Sequence, residues 1–219
     1  MNIKENKSFF ISTSRIETFS DGVFAIVITL LAFQFKVPKF TSEATIQQNF
    51  QELLKLSPHF ISFVFSFLFV AVFWINHHQL YHTIKEADRK LLWYNIHLLF
   101  WITIIPFPTA MVGDHPDIPA AVMSLAFVLM MASLAAYFVR RYSYFRASLV
   151  DENLSKDSIK DGLTKNVVAI ILNFAAILIA PYSVKVCYVI FIIVLALFII
   201  PQKLERKSKS TNKNTNNET

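Results

Sequence analysis

RIETFSDGVFAIVITLLAFQF, residues Arg15 to Phe35, is the stretch whose reading decides the fold. From Gly22 to Phe35 it is uncharged and dominated by Val, Ile, Leu, Ala and Phe. Counted from about Ile16, it reaches the ~20 residues a helix needs to cross a bilayer. Arg15, Glu17 and Asp21 stand at its head, where a plain anchor has no use for charge. A charge at the membrane boundary is costly, so Asp21 is expected to have a partner and a role. Gly22, Ile26, Thr29, Leu30 and Phe33 recur at spacings of three and four and share one side. Lipid is itself apolar, so a second apolar face on this helix is expected to look at protein or at a pore.

Composition places the rest of the chain in the same solvent. Hydrophobic residues make up 54% of the 219 and charged ones 16%, and there are only 3 glycines, which argues against a loop-rich soluble fold. The 22 phenylalanines are expected against lipid or between helices. Cys187 is the single cysteine, so no intrachain disulfide can form, and a small apolar core residue is its expected role. No separate cleavable signal is read at the N-terminus: the apolar run is longer than a signal core and carries Asp21.

In chain order, residues 1–11 read as a short cytoplasmic segment at the interface, and residues 12–201 as the membrane domain. The first helix is expected to end by Lys36-Val37-Pro38. Residues 41–56 are too polar to span; Ile46, Phe50, Leu53 and Leu54 fall on one face of an amphipathic surface helix. Further spans are expected over His59–Tyr81, Leu91–Val112 and Ile118–Tyr137, the last stopped by Arg140-Arg141, with Gly113 to Pro119 a tight loop. Residues 140–166 form a polar connection with ten charges, expected to hold helical extensions of its neighbours. The last two spans, Val167–Ala180 and Val184–Ile200, are short for a bilayer. Residues 202–219 read as a disordered basic tail.

Six spans put both termini on one side. Of 21 Lys and Arg residues, 17 lie before the first helix, in 82–90, in 140–166 or in the tail, against Lys36, Lys39, Lys55 and Lys185 opposite. The positive-inside rule then puts both termini in the cytoplasm. Topology accounts for the net charge of +6, and no nucleic-acid partner is needed.

The common enzyme signatures are absent: there is no glycine-rich phosphate loop, G-x-S-x-G or H-E-x-x-H. No catalytic residue, cofactor or metal is assigned. His78 and His82 are one turn apart, a spacing that can bind metal, but no carboxylate or thiolate lies within that turn. They are read as interfacial histidines, and His115, between Asp114 and Asp117, as part of a solvated turn. Arg15 and Asp21 differ by six positions, about 240° around a helix, so they cannot pair with each other on it. Trp74, Asn76 and His77, at the inner end of the second span, are the natural partners, which makes this cluster a brace for the first helix.

R-x-x-x-F-S-D, here Arg15, Phe19, Ser20 and Asp21 leading into an apolar helix, resembles the signature of the transmembrane protein 175 potassium channels. W-x-x-H at Trp74 and His77 adds to the likeness. The resemblance covers roughly residues 12–201 and implies an all-α membrane protein, with four six-helix subunits around a pore lined by the first helix. By periodicity alone the stripe on that helix reads as packing. The resemblance makes it the conducting face, with the narrow ring at Ile26, the selectivity-linked threonine at Thr29, and apolar layers at Leu30 and Phe33. Phe33 departs from the Leu-type residue expected there. No T-V-G-Y-G filter is present, so the pore implied is a hydrophobic constriction gated by dewetting. The expectation is a homotetrameric potassium channel of the cell membrane, embedded in lipid, with sodium and protons less favoured. The alternative is a secondary or proton-coupled cation transporter, for which inverted repeats and broken helices would be expected and none is found.

Overall fold

The computed structural model describes residues 12–38, 40, 42–145 and 156–199; the expectations for the N-terminal segment, the tail and the centre of the 140–166 connection lie outside these. The described residues are helical throughout their regular elements. Helix α1 spans Thr13–Leu31 and runs into a 3-10 turn, Ala32–Gln34. The surface helix α2 (Ile46–Leu54) starts in a capping box, in which the Thr45 side chain and Gln48 exchange hydrogen bonds with each other's backbone N–H. Helix α3 (Ser57–Tyr81) starts with Pro58 in its first turn, where a missing N–H costs nothing.

The third span differs from its sequence reading. It is two helices, α4 (Arg89–Ile104) and α5 (Pro106–Asp114), broken at Ile105. Pro106 and Pro108 remove two backbone donors, and the Thr109 hydroxyl donates to the Ile105 carbonyl at 2.7 Å. That leaves Ser66 of α3 to donate to the Thr109 oxygen at 2.6 Å, a buried bond across the α3–α5 contact. Gly113 and Asp114 are helical, so the turn between spans is shorter than the Gly113 to Pro119 loop expected.

Helix α6 spans Pro119–Phe145 and passes through Arg140-Arg141, which were expected to stop it. The stop fails because Arg140 is buried inside the protein while Arg141 stays exposed. Helix α7 (Lys156–Ile179) starts eleven residues before the expected Val167 and, at 24 residues, is not short. Its charged first turns are exposed chiefly at Lys160 and Asp161, whereas Lys165 and Asn166 are buried. Helix α8 (Val184–Ile199) completes the chain.

Five stretches are long and apolar enough to cross a membrane, and α8, at 16 residues, is a shorter apolar helix. The most extensive packing is α6 on α7, and small buried alanines stand on both, Ala132 and Ala135 on α6 and Ala169 and Ala176 on α7. Cys187 of α8 is buried as expected, its thiol donating to the Ala176 carbonyl of α7 at 3.3 Å. Gly113 permits a second close approach: a Cβ there would lie 2.9 Å from the Ser62 hydroxyl and 3.3 Å from the His59 Cα.

Candidate pore helix and its brace

Helix α1 has two faces. Ile16, Ser20, Phe24, Val27 and Leu31 are buried against α3 and α4, at intervals of three and four residues. Arg15, Phe19, Gly22, Ile26, Thr29, Leu30 and Phe33 form the opposite, exposed stripe. Ile26 is 60% exposed, Leu30 44% and Phe33 82%, so this apolar surface lies largely uncovered among the described residues. From Ile26 to Phe33 the stripe rises about 10 Å. The Thr29 hydroxyl donates to the Ile26 carbonyl at 2.8 Å. Its proton is thereby held in the helix, and the oxygen presents lone pairs outward, as a cation requires.

Polar bonds from two different helices hold α1, one at the exposed Asp21 and one at the buried Ser20 beside it. Trp74 of α3 donates its indole N–H to the Asp21 carboxylate at 2.8 Å. Asn95 of α4 donates to the Ser20 hydroxyl at 3.0 Å, and its oxygen lies 2.8 Å from His77 Nε2. Because the Asn95 amide N–H group is turned to Ser20, its carbonyl faces the histidine, which places the proton on His77 Nε2. Ser20 and Asn95 are both 0% exposed, and His77 is buried. The His77 ring stacks on Tyr81 with centroids 4.3 Å apart and meets Phe24 of α1 at 5.6 Å.

The structure thus brings together Ser20, Asp21, Trp74 and His77, and leaves Arg15 and Phe19 apart from them. Arg15 is exposed at the N-terminal end of the stripe and has no ion-pair partner among the described residues. Asn76 donates to the Val72 carbonyl on its own helix and does not reach Asp21. Asn95 is the residue that sequence reading missed. A lone amide inside the apolar run LLWYNIHLLF was its signal, since a polar group at membrane depth needs a partner. His78 lies against Trp74, and among the described residues no group of three His, Cys, Asp or Glu side chains is placed to hold a metal.

The C-terminal end of the helix is tied as well. Asp114 accepts from Lys36 at 2.8 Å and lies 2.9 Å from His59 Nε2, joining the segment after α1 to α3 and α5.

The sequence profile described as "Endosomal/lysosomal potassium channel TMEM175" matches residues 15–106, from the first motif residue through α4. The chain is 30% identical over 200 residues to a protein of Chryseobacterium sp. named a potassium channel, covering 90% of this chain and 98% of that one. It is 34% identical over 194 residues to another of that name from Chamaesiphon minutus, covering 82% and 92%. Human TMEM175, named an endosomal/lysosomal proton channel, is 20% identical over 190 residues, and the match spans 37% of its length. In three dimensions the chain is similar to the crystal structure of a lysosomal potassium-selective channel TMEM175 homologue from Chamaesiphon minutus. The TM-score is 0.73 at 26% identity, over 87% of this chain and 98% of that one. Fold, two-faced helix and relatives together define a helical, multi-pass membrane channel protein and not an enzyme. The chain belongs to the TMEM175 family.

Proposed function

We propose that this protein is a potassium-permeable cation channel of the cell membrane. Four copies surround a pore lined by the exposed face of α1. The single observation that carries the reading is that stripe: an apolar, exposed face on a helix held by hydrogen bonds from two others. One helix cannot enclose a path, so symmetry-related copies must close the ring. Ile26, Leu30 and Phe33 are its dry layers. Their side chains offer nothing to replace an ion's hydration shell, so the pore closes by dewetting. Thr29 is the one polar group among them, and its outward lone pairs favour potassium, with sodium and protons passing less readily. Ser20, Asp21, Asn95, Trp74 and His77 hold the helix in place and do not touch ions. Both termini are cytoplasmic, by the distribution of Lys and Arg.

The experiment is electrical. Purified protein in a planar bilayer should pass current whose reversal potential follows the potassium gradient more closely than the sodium gradient. Light scattering of the same sample should give four copies. Flux locked in fixed proportion to a proton gradient, with no reversal at an ion equilibrium potential, would make the protein a carrier instead.

A further inference from the structure

At the end of the bundle where α6 finishes and α7 starts, an open cleft of about 520 Å³ separates the two helices. Its walls are Tyr137, Tyr144 and Phe145 from α6, and Lys160, Leu163 and Val167 from α7. Two kinds of surface meet there. Phe145 is 72% exposed and Val167 39%, so apolar and aromatic area lies open at the edge of the apolar spans. Beside it stand two cations. Arg141 donates to the Tyr137 hydroxyl at 3.2 Å, with its guanidinium 5.4 Å from the centre of the Phe145 ring. Lys160 reaches the cleft from the opposite wall.

The neighbouring charges separate into two groups. Lys165 is paired with Asp161 at 3.5 Å, and buried Arg140 donates to the Tyr144 hydroxyl. Arg141 and Lys160 have no carboxylate partner among the described residues, and both are exposed. We infer that this cleft binds an anionic phospholipid of the leaflet on the side of the 140–166 connection. Arg141 and Lys160 take the headgroup phosphate, and an acyl chain lies over Leu163 and Val167.

The chemistry selects this occupant. A soluble phosphate would satisfy the two cations but leave the apolar walls in water. A neutral lipid would cover the walls without compensating the charge. A lipid with net negative charge does both, at the depth where tyrosines mark the membrane boundary and long basic side chains reach for headgroups. Basic recesses between spans are general binding places for such headgroups. The site is on the side of α6 and α7, away from the α1 stripe, and its test reads lipid rather than current, so it does not depend on the conduction reading.

The full-length protein is reconstituted in nanodiscs of mixed phosphatidylcholine and phosphatidylglycerol, and its retained lipid is measured by native mass spectrometry. The wild type should enrich phosphatidylglycerol. The double variant Arg141→Gln/Lys160→Gln, changed at two exposed positions, should lose about tenfold of that enrichment. Arg141→Lys should keep most of it, and an unchanged melting midpoint in all three shows that the fold is intact. Equal enrichment in wild type and double variant would overturn the proposal. So would displacement of the lipid by water-soluble glycerol phosphate, which would mark a plain anion site.

Discussion

Replacing Asn95 by Leu tests the brace at its most enclosed point. The two side chains share the same branching and number of heavy atoms, so the change removes the hydrogen bonds while keeping the outline of the side chain, with bulkier methyl groups at its two tips. His77 loses the acceptor 2.8 Å from its Nε2, and the Ser20 hydroxyl loses a donor at 3.0 Å. Both are buried, so water cannot replace what is lost. A buried polar group left unpaired costs about 1–3 kcal/mol. Hydrogen bonds within membranes average nearer ~0.6 kcal/mol, which sets the low end. Two stranded groups therefore predict a loss of about 1–6 kcal/mol per subunit, combining these ranges. The assay is reversible unfolding of purified protein in mixed micelles at increasing denaturing detergent. A second variant sharpens it: Ser20→Ala removes one of the stranded groups, so it should cost less in the Asn95→Leu background than in the wild type. Ion preference of the surviving channels should be unchanged, because no brace residue faces the stripe. A loss below ~0.5 kcal/mol, or strict additivity of the two changes, would refute the reasoning, since independent sites add to within about that amount.

Other expectations follow the same geometry. Ile26→Asn puts an amide on the stripe and should raise conductance while weakening the preference for potassium over sodium, read from single-channel currents and reversal potentials. Thr29→Val removes the outward oxygen and should lower that preference with little effect on how often the pore opens. Gly113→Ala forces a Cβ to within 2.9 Å of Ser62 and 3.3 Å of the His59 backbone, and should cost about 1–3 kcal/mol in the unfolding assay. For topology, Asp114→Cys should react with an impermeant thiol reagent from outside and Arg141→Cys only from inside; native Cys187 is buried and gives little background.

The periodicity of residues 15–35 was enough to separate the faces of α1, because a membrane helix shows its interior by where it can tolerate Ser20 and where it needs Phe24 and Val27. Sequence narrowed the partners of Asp21 to Trp74, Asn76 and His77, because few groups near the end of the second span can donate to a carboxylate, and of these Trp74 makes the bond. What sequence pattern could not reveal was local compensation. Arg140 looked like a stop signal because a charge is costly in a membrane, yet α6 buries it beside Tyr144 and continues to Phe145. The start of α7 was hidden for a related reason. Its first two turns are charged and give no apolar period for the sequence pattern to detect. The break at Ile105 was signalled by Pro106 and Pro108, but a single apolar run passed over it.

The two brace contacts have a consequence neither has alone. Ser20 and Asp21 are consecutive, so their side chains point about 100° apart around the helix axis. One is held by α4 and the other by α3. A helix pinned at one point can still roll about that point. Pinned at two directions by separate helices, it cannot roll without breaking one bond or the other. Rolling α1 by a single residue position would carry Ile26 and Thr29 off the stripe and turn the buried Val27 towards its centre, replacing the hydroxyl by hydrocarbon. The sequence S-D thus fixes, two turns away, which side chains the exposed face presents. A short polar motif near the N-terminal end of the helix in this way governs the orientation of a face it is not part of.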